Sequence, residues 1–477
     1  MALTSFVFVL FMGVICVCLL AIKTFLVDKP CFTKAYQFIL LMGSYLFMAV
    51  VDVRYCVCIF LLTSLVYYCA RRIEAGNNDW LKIGVALSLL QLAVFKYLNF
   101  FVDSFGRLVG FDDSVVLNII IPVGVSFYTF SGISYLMDVY RKKITANKSF
   151  TDVALYIAFF PKLTSGPIVR AKSFFSQLDK DHCISWNNFV IGIQIFVCGL
   201  FKKMVLADHL SIFVDDVFYA PVAFTGPTVF LATIAYSLQI YFDFSGYSDL
   251  AIGAAKILGF DFEKNFHIPY ISKNVTEFWK RWHISLSSWL QEYLYYPLGG
   301  NRKGKLRTYV NLFLTMLIGG FWHGANWTFL IWGGLHGLSL IVHKVFLSVR
   351  AAKSCKPSYG IFGNIVSGFV TFLWVNFCWI FLRADSLSNA LAVIKGMFHG
   401  SAGISQPYTW VFFAILILVA EMVVVYTKEN KTGDTFFLNY FLLDFNKTLQ
   451  LAMFFIFVGI TIIMAYVGDT AFIYGKF

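Results

Sequence analysis

"FLTMLIGGFWHGANWTFLIWGGLHG", Phe313 to Gly337, is apolar enough to lie inside a bilayer, yet it carries His323 between Trp322 and Gly324. An ionisable side chain at membrane depth costs about 2.5–3.5 kcal/mol on insertion scales, which makes it a functional-site candidate by default. Gly319, Gly320 and Gly324 surround the histidine and let backbone or ligand approach where side chains would otherwise fill space. Trp322 and Trp327 supply flat walls. Burial disfavours the imidazolium and leaves a neutral ring able to accept a proton, the state a general base needs. The competing reading is a histidine satisfied by packing alone.

The rest of the chain fits that setting. Of its 477 residues, 59% are hydrophobic, 19% aromatic and only 13% charged. Soluble domains average about 45–50% apolar and about 25% charged residues, so this composition predicts an all-α polytopic membrane protein. A crossing helix needs about 20 mainly apolar residues. Candidate spans run Ser5–Val27, Tyr36–Val51, Tyr55–Ala70, Trp80–Phe101, Val115–Tyr140, Val153–Leu163, Phe189–Leu206 and Thr228–Leu258. Further candidates are Tyr309–Phe321, Trp327–Phe346, Ile361–Leu382, Trp410–Tyr426 and Leu449–Val467. Several are too short or too long for one simple span, which predicts about 10 to 13 crossings or partial crossings, re-entrant pieces included. The first stretch lacks the positive n-region and cleavage site of a signal peptide and reads as a retained helix.

The net charge of +12 is read as coming mostly from short loops: Arg71 and Arg72, Arg141 to Lys143, Lys202 and Lys203, Lys280 and Arg281, and Arg302 to Arg307. Such clusters mark cytoplasmic ends or touch lipid headgroups. With no soluble basic domain, nucleic-acid binding is excluded. The ten cysteines fall mostly within apolar stretches and show no metal-ligand spacing, so they read as packing residues and no metal is expected. No internal repeat or polar linker divides the chain, which predicts one membrane domain over 1–477.

Polar and glycine-rich content concentrates between Ile121 and Gly337. "YFDFSGYSDLAIG" (Tyr241–Gly253) places Asp243, Ser245 and Asp249 within a candidate span. The two aspartates do not share a helix face at a spacing of six, so a helix bent at Gly246 would be needed to bring them around one cavity. The alternative is an interhelical hydrogen-bond clasp. "NVTEFWKRWHISLSSWLQEYLYYPLGG" (Asn274–Gly300) spaces Phe278, Trp282, Leu286, Trp289 and Leu290 as one helix face, with Thr276 as its cap. Lys280, Arg281, Ser287 and Gln291 face away, which predicts a basic interfacial helix framing a cavity mouth. "GGNRKGKLR" (Gly299–Arg307) follows; its cations, Arg302 and Lys303 first, suit either a solvated turn or capture of a phosphate-rich ligand such as a coenzyme A ester.

Other catalytic patterns fail. Ser245 lacks the glycines of a nucleophile elbow, and neither a Walker A loop nor H-E-x-x-H occurs. His336 and His343 read as packing or hydrogen-bonding residues, and His283 as either a support for His323 or an interfacial hydrogen-bonding residue.

Together, "QIYFDFSGYSDLAIG", "FWKRWHISLSSWLQEYLYYPLGGNRKG" and "GGFWHGANWTFLIWGGLHG", with "FLRADS" at Phe381–Ser386, resemble the membrane-bound O-acyltransferase (MBOAT) family, in its bacterial alginate O-acetyltransferase-like branch. The resemblance spans about 121–386, the expected catalytic core. It implies a bundle of about eleven spanning helices with re-entrant and interfacial helices around a central funnel. It implies that His323 and His283 match the family's two active-site histidines. His323 then acts as a general base or forms an acyl-imidazole. No permanently bound cofactor is implied; the donor is a cytosolic thioester, acetyl-CoA. Other implied partners are membrane lipids, a polysaccharide acceptor and an extracytoplasmic acetyltransferase, and the implied location is the bacterial inner membrane. Trp322, Asn326, Trp282 and Asp243 are expected to contact substrate, as are Ser245, Asp249, Arg302 and Lys303. The end "FIYGKF" (Phe472–Phe477) departs from the more aromatic tail of many relatives. D-alanyl transfer to a cell-envelope polymer is the alternative within the family. A transporter of a small anion or lipid-linked sugar is the alternative outside it, and would predict internal symmetry that the sequence lacks.

Overall fold

A computed structural model describes residues 2–26, 29, 31–109, 121–164, 166–178, 184–352, 360–400, 402–432, 447–468 and 473. The expected span over Val115–Tyr140 and the tail at Phe472–Phe477 therefore lie partly outside the described residues. Those described are helical throughout, with one isolated β-bridge, Phe224 to Ile404, and no strand. Six described helices are long and apolar enough to cross a bilayer: Phe6–Leu26, Val53–Glu74, Asp79–Val102, Trp186–Tyr219, Trp327–Arg350 and Phe362–Arg383. At about 1.5 Å per residue, five of them suit a hydrocarbon layer of about 30 Å, while Trp186–Tyr219, with 34 residues, is longer than one simple crossing needs. The protein is an all-α, multi-pass membrane protein.

The chain folds as two compact units, one of Met1–Phe196 with Tyr247–Glu263, the other of Val197–Gly246 with Lys264–Phe477. The first holds α1 (Phe6–Leu26), α2 (Phe32–Ala49), α3 (Val53–Glu74), α4 (Asp79–Val109), α5 (Val125–Tyr140), α6 (Phe150–Ala158), α7 (Phe160–Leu163) and α8 (Ala171–Leu178). It also takes most of α9 (Trp186–Leu200) and the C-terminal end of α11 (Gly226–Ile257). Phe8, Phe11, Phe47 and Phe160 form an aromatic knot with centroids 5.1–6.2 Å apart. The expected span at Val153–Leu163 is instead two short helices, α6 and α7, broken at Phe159. Pro161 accounts for the break, because it cannot donate the backbone bond that a continuing helix requires.

The second unit holds the start of α11, α10 (Asp208–Tyr219), α12 (Val275–Arg281), α13 (Ile284–Leu290), α14 (Gly304–His323), α15 (Trp327–Ala352), α16 (Ile361–Arg383), α17 (Leu387–Gly396), α18 (Thr409–Thr432) and α19 (Lys447–Met464). Helices α14 and α15 pack as a tight hairpin because glycines face each other. A Cβ on Gly333 would stand 2.5 Å from the Met316 carbonyl and 3.1 Å from Gly320 Cα, and one on Gly320 would collide with the Phe329 carbonyl. This close approach fixes where the end of α14, and His323 with it, sits.

Three expectations are corrected here. Helix α11 runs unbroken through Gly246, so it does not bend to join its two aspartates. Gly246 serves a close approach instead, since a Cβ there would meet the Gly199 carbonyl at 2.9 Å. The single amphipathic helix expected from Asn274 is two helices, α12 and α13, separated at His283 in a left-handed conformation (φ 42°, ψ 57°). Its apolar residues face the protein core, with Phe278, Trp282 and Leu286 each about 1% exposed. The cap is Asn274, whose side chain accepts from Glu277 N–H at 2.9 Å, while the Thr276 hydroxyl bonds His343 Nδ1 at 2.8 Å.

Lys202 and Lys203 are not a loop cluster. They lie on a π-helical stretch, Phe201–Ala207, and point into the second unit. Lys203 Nζ pairs with Asp208 at 2.5 Å and with Asp243 at 2.7 Å, all three nearly fully buried. Lys202 pairs with Glu421 at 3.0 Å, whose other oxygen accepts from Tyr241 OH at 2.9 Å. Buried charges need such partners, so Asp243 belongs to a clasp between helices.

Candidate active site

Three buried histidines converge in the second unit: His283 between α12 and α13, His323 at the end of α14, and His336 on α15. The indole of Trp322 neighbours two of them, with centroids 4.9 Å from His323 and 6.4 Å from His283. Trp332 meets His323 edge-on at 4.9 Å and His336 at 5.0 Å. Behind them Trp332 stacks on Trp379 at 5.7 Å, which in turn packs on Trp282 at 4.9 Å. The result is a buried aromatic box with imidazoles on its walls.

Hydrogen bonds fix two tautomers. Asn265 Oδ1 accepts from Ser285 N–H at 3.2 Å, which identifies that atom as the oxygen. His283 Nδ1, 3.0 Å away, must therefore be the protonated nitrogen that donates to it, leaving Nε2 as the basic one. Asn265 also accepts Ile284 N–H on its backbone carbonyl at 2.8 Å, so one residue caps the first turn of α13 and orients His283. Burial drives the His283 pKa down to about 3 and keeps the ring neutral. His336 has the opposite tautomer. Trp279 Nε1–H, which can only donate, bonds His336 Nδ1 at 3.3 Å, so His336 carries its proton on Nε2.

An open cavity of about 530 Å³ leads along these helices. On α15 it is lined by Leu340 and Lys344, four and eight residues beyond His336; on α14 by Leu312 and Met316, eleven and seven before His323. On α13 it is lined by Ile284, Ser287 and Ser288, starting one residue after His283. Spacings near multiples of 3.6 lie on one helix face, so the cavity shares a face of α14 with His323 and a face of α15 with His336; no histidine lines it, and Trp279, which does, bonds His336 Nδ1. Lys280, Lys344 and Asn301 are polar residues along its sides.

Comparison with known proteins identifies the family. A family model described as "MBOAT, membrane-bound O-acyltransferase family" matches residues 145–382, which contain all three histidines. A "probable alginate O-acetylase" of Pseudomonas aeruginosa is 42% identical over 370 residues, covering 76% of this chain and 69% of the relative. The chain belongs to the membrane-bound O-acyltransferase family. A "peptidoglycan O-acetyltransferase" of Helicobacter pylori is 37% identical to this acyltransferase over 402 residues, covering 77% and 74% of the two chains. A "teichoic acid D-alanyltransferase" of Streptococcus thermophilus is 28% identical over 240 residues, covering 47% of this chain and 57% of the relative.

The other expected site residues of the acyltransferase are distributed as follows. Trp322 and Trp282 stand in the aromatic box. Asn326 caps α15: its oxygen accepts Thr328 N–H at 3.1 Å, and its amide donates to the Asp385 carbonyl at 2.9 Å. Ser245 is buried with no partner for its hydroxyl among the described residues. Asp249 is half-buried and falls in the first unit, apart from Asp243 and Ser245 in the second. Arg302 and Lys303 are exposed on the turn before α14, next to cavity-lining Asn301. Asn265 was not singled out by its sequence context; only its position across from Ser285 reveals its role. No cluster of metal-binding side chains occurs among the described residues.

Proposed function

We propose that this O-acyltransferase takes an acetyl group from a cytosolic thioester, acetyl-CoA, and passes it across the bacterial inner membrane to hydroxyls of an extracytoplasmic polysaccharide or of a secreted acetyltransferase partner. The observation that carries this reading is the cluster of buried His283, His323 and His336, beside which lies a cavity lined by Trp279, Lys280 and Lys344. An anionic donor suits those cations, and the relatives named as acetylases supply the acyl group and the class of acceptor.

In this reading His323 accepts the proton of the acceptor hydroxyl as its oxygen bonds to the acyl carbon. The carbon–sulfur bond then breaks, and the departing thiolate takes up the proton. His283, neutral and held by Asn265, positions the acceptor or supports His323. The tryptophan walls exclude water that would hydrolyse the thioester.

The test is to feed cells labelled acetate or labelled D-alanine and measure base-releasable label on envelope and secreted glycans in wild type and a deletion. Loss of acetyl label alone in the deletion supports the proposal. Loss of D-alanyl label instead supports the second reading, which the similarity to a teichoic acid D-alanyltransferase motivates. Unchanged labels exclude both.

A further inference from the structure

Among the described residues, three ring N–H groups of the aromatic box, on His336, Trp332 and Trp379, have no acceptor, and the first two lie on adjoining rings on the His323 side. The Trp279 bond forces the proton of His336 onto Nε2, and that nitrogen is buried without a partner among the described residues. Trp332 Nε1–H, on the adjoining ring, is likewise buried and unpartnered. Their rings are 5.0 Å apart, and Trp332 is 4.9 Å from His323. Each unsatisfied buried donor costs about 1–3 kcal/mol. Neither residue needs its N–H for packing, since the stack of Trp332 on Trp379 and of Phe278 on His336 uses only ring faces.

We propose that His336 Nε2–H and Trp332 Nε1–H are the donors that receive the acyl carbonyl oxygen of the thioester as it becomes an oxyanion. This inference rests on the acyl-transfer reading above and adds two catalytic residues to it. When the acceptor oxygen adds to the acyl carbon, the electron pair of the carbonyl moves onto its oxygen. It returns when the carbon–sulfur bond breaks and the thiolate leaves. Donors held in a water-poor box stabilise that charge without rearranging, and removing one such donor typically costs about 10²–10³ in kcat. His323 as base and His336 as donor then have complementary duties, and the tautomer of His336 is the one its duty needs.

The test uses membrane vesicles containing the full-length protein, with acetyl-CoA as the donor and acceptor-dependent release of the coenzyme A thiol as the readout. Trp332→Phe keeps an aromatic ring but removes the N–H together with the pyrrole half of the indole, so its activity is compared at matched membrane abundance. His336→Leu removes the donor, and His336→Gln restores an N–H. The expected result is a drop of about 10²-fold in kcat for Trp332→Phe and His336→Leu, with KM for acetyl-CoA within about twofold of wild type. His336→Gln is expected to recover at least tenfold over His336→Leu. Should His336→Leu fail to accumulate, Trp332→Phe and His336→Gln decide the matter. A kcat within threefold of wild type for Trp332→Phe, or a loss seen only in KM, overturns the assignment. His323→Ala is measured alongside. If it is inactive while Trp332→Phe is normal, only the oxyanion assignment fails; if His323→Ala is fully active, the acyl-transfer reading of the site fails with it.

Discussion

His283 and Asn265 meet at 3.0 Å, Nδ1 to Oδ1, across 18 residues of sequence. The same oxygen accepts the backbone N–H of Ser285 and, at 2.9 Å, its hydroxyl. One amide thus sets the tautomer of the histidine and holds the left-handed turn on which it sits. A non-glycine residue in that conformation costs about 1–3 kcal/mol and persists only where its surroundings impose it.

Replacing the amide separates these roles. Asn265→Ala is expected to lower acyl transfer by about 10²-fold, measured at matched membrane abundance. Asn265→Asp retains an acceptor but adds a negative charge beside His283, which favours the imidazolium. From a starting value of about 3, the His283 pKa rises, and the acid limb of the pH–rate profile moves to higher pH. A profile identical to that of wild type would show that His283 plays no part in turnover.

The clasp of Lys203 with Asp208 and Asp243 makes a stability prediction. Lys203→Met leaves two carboxylates buried together without their cation and is expected to cost about 3–5 kcal/mol. Asp243→Asn leaves Lys203 with Asp208 and costs less. Thermal unfolding of the detergent-solubilised protein should rank the two variants in that order.

Close packing of α14 on α15 sets the position of His323. Gly333→Leu forces a side chain into the Met316 carbonyl, which a Cβ alone would reach at 2.5 Å. Overpacking of this kind costs about 1–3 kcal/mol or more. The variant is expected to lose transfer activity in excess of its loss of abundance, as read by labelled acetyl per molecule of membrane protein.

Lys280 and Lys344 line the cavity and are expected to attract the donor's phosphates. Lys280→Ala and Lys344→Ala should each raise KM for acetyl-CoA about two- to fivefold with kcat unchanged, the effect of a partly solvated charge. Added salt should raise the wild-type KM and shrink the difference.

Much of this was legible in the sequence, for physical reasons that can be named. Apolar stretches long enough to cross a bilayer force helices, so the fold class follows from composition. A histidine set among glycines and tryptophans stands out because nothing apolar needs it there. Other features depend on contacts that no local pattern encodes. Lys202 and Lys203 looked like a loop cluster because their partners Glu421, Asp208 and Asp243 come from other segments. The break at His283 was hidden because the apolar spacing of Phe278, Trp282 and Leu286 continues across it. Asn265 precedes no helix of its own, so its capping of α13 appears only in three dimensions. The tautomer of His336 likewise depends on Trp279, 57 residues away.

The most direct test of the account compares wild type, a deletion and His323→Ala, matched for membrane abundance, in cells given labelled acetate. The account predicts that base-releasable acetyl label on envelope or secreted glycans is lost in both the deletion and His323→Ala while the variant protein remains inserted. Label in His323→Ala equal to that of wild type, with the deletion unlabelled, would contradict the central claim that His323 carries the transfer.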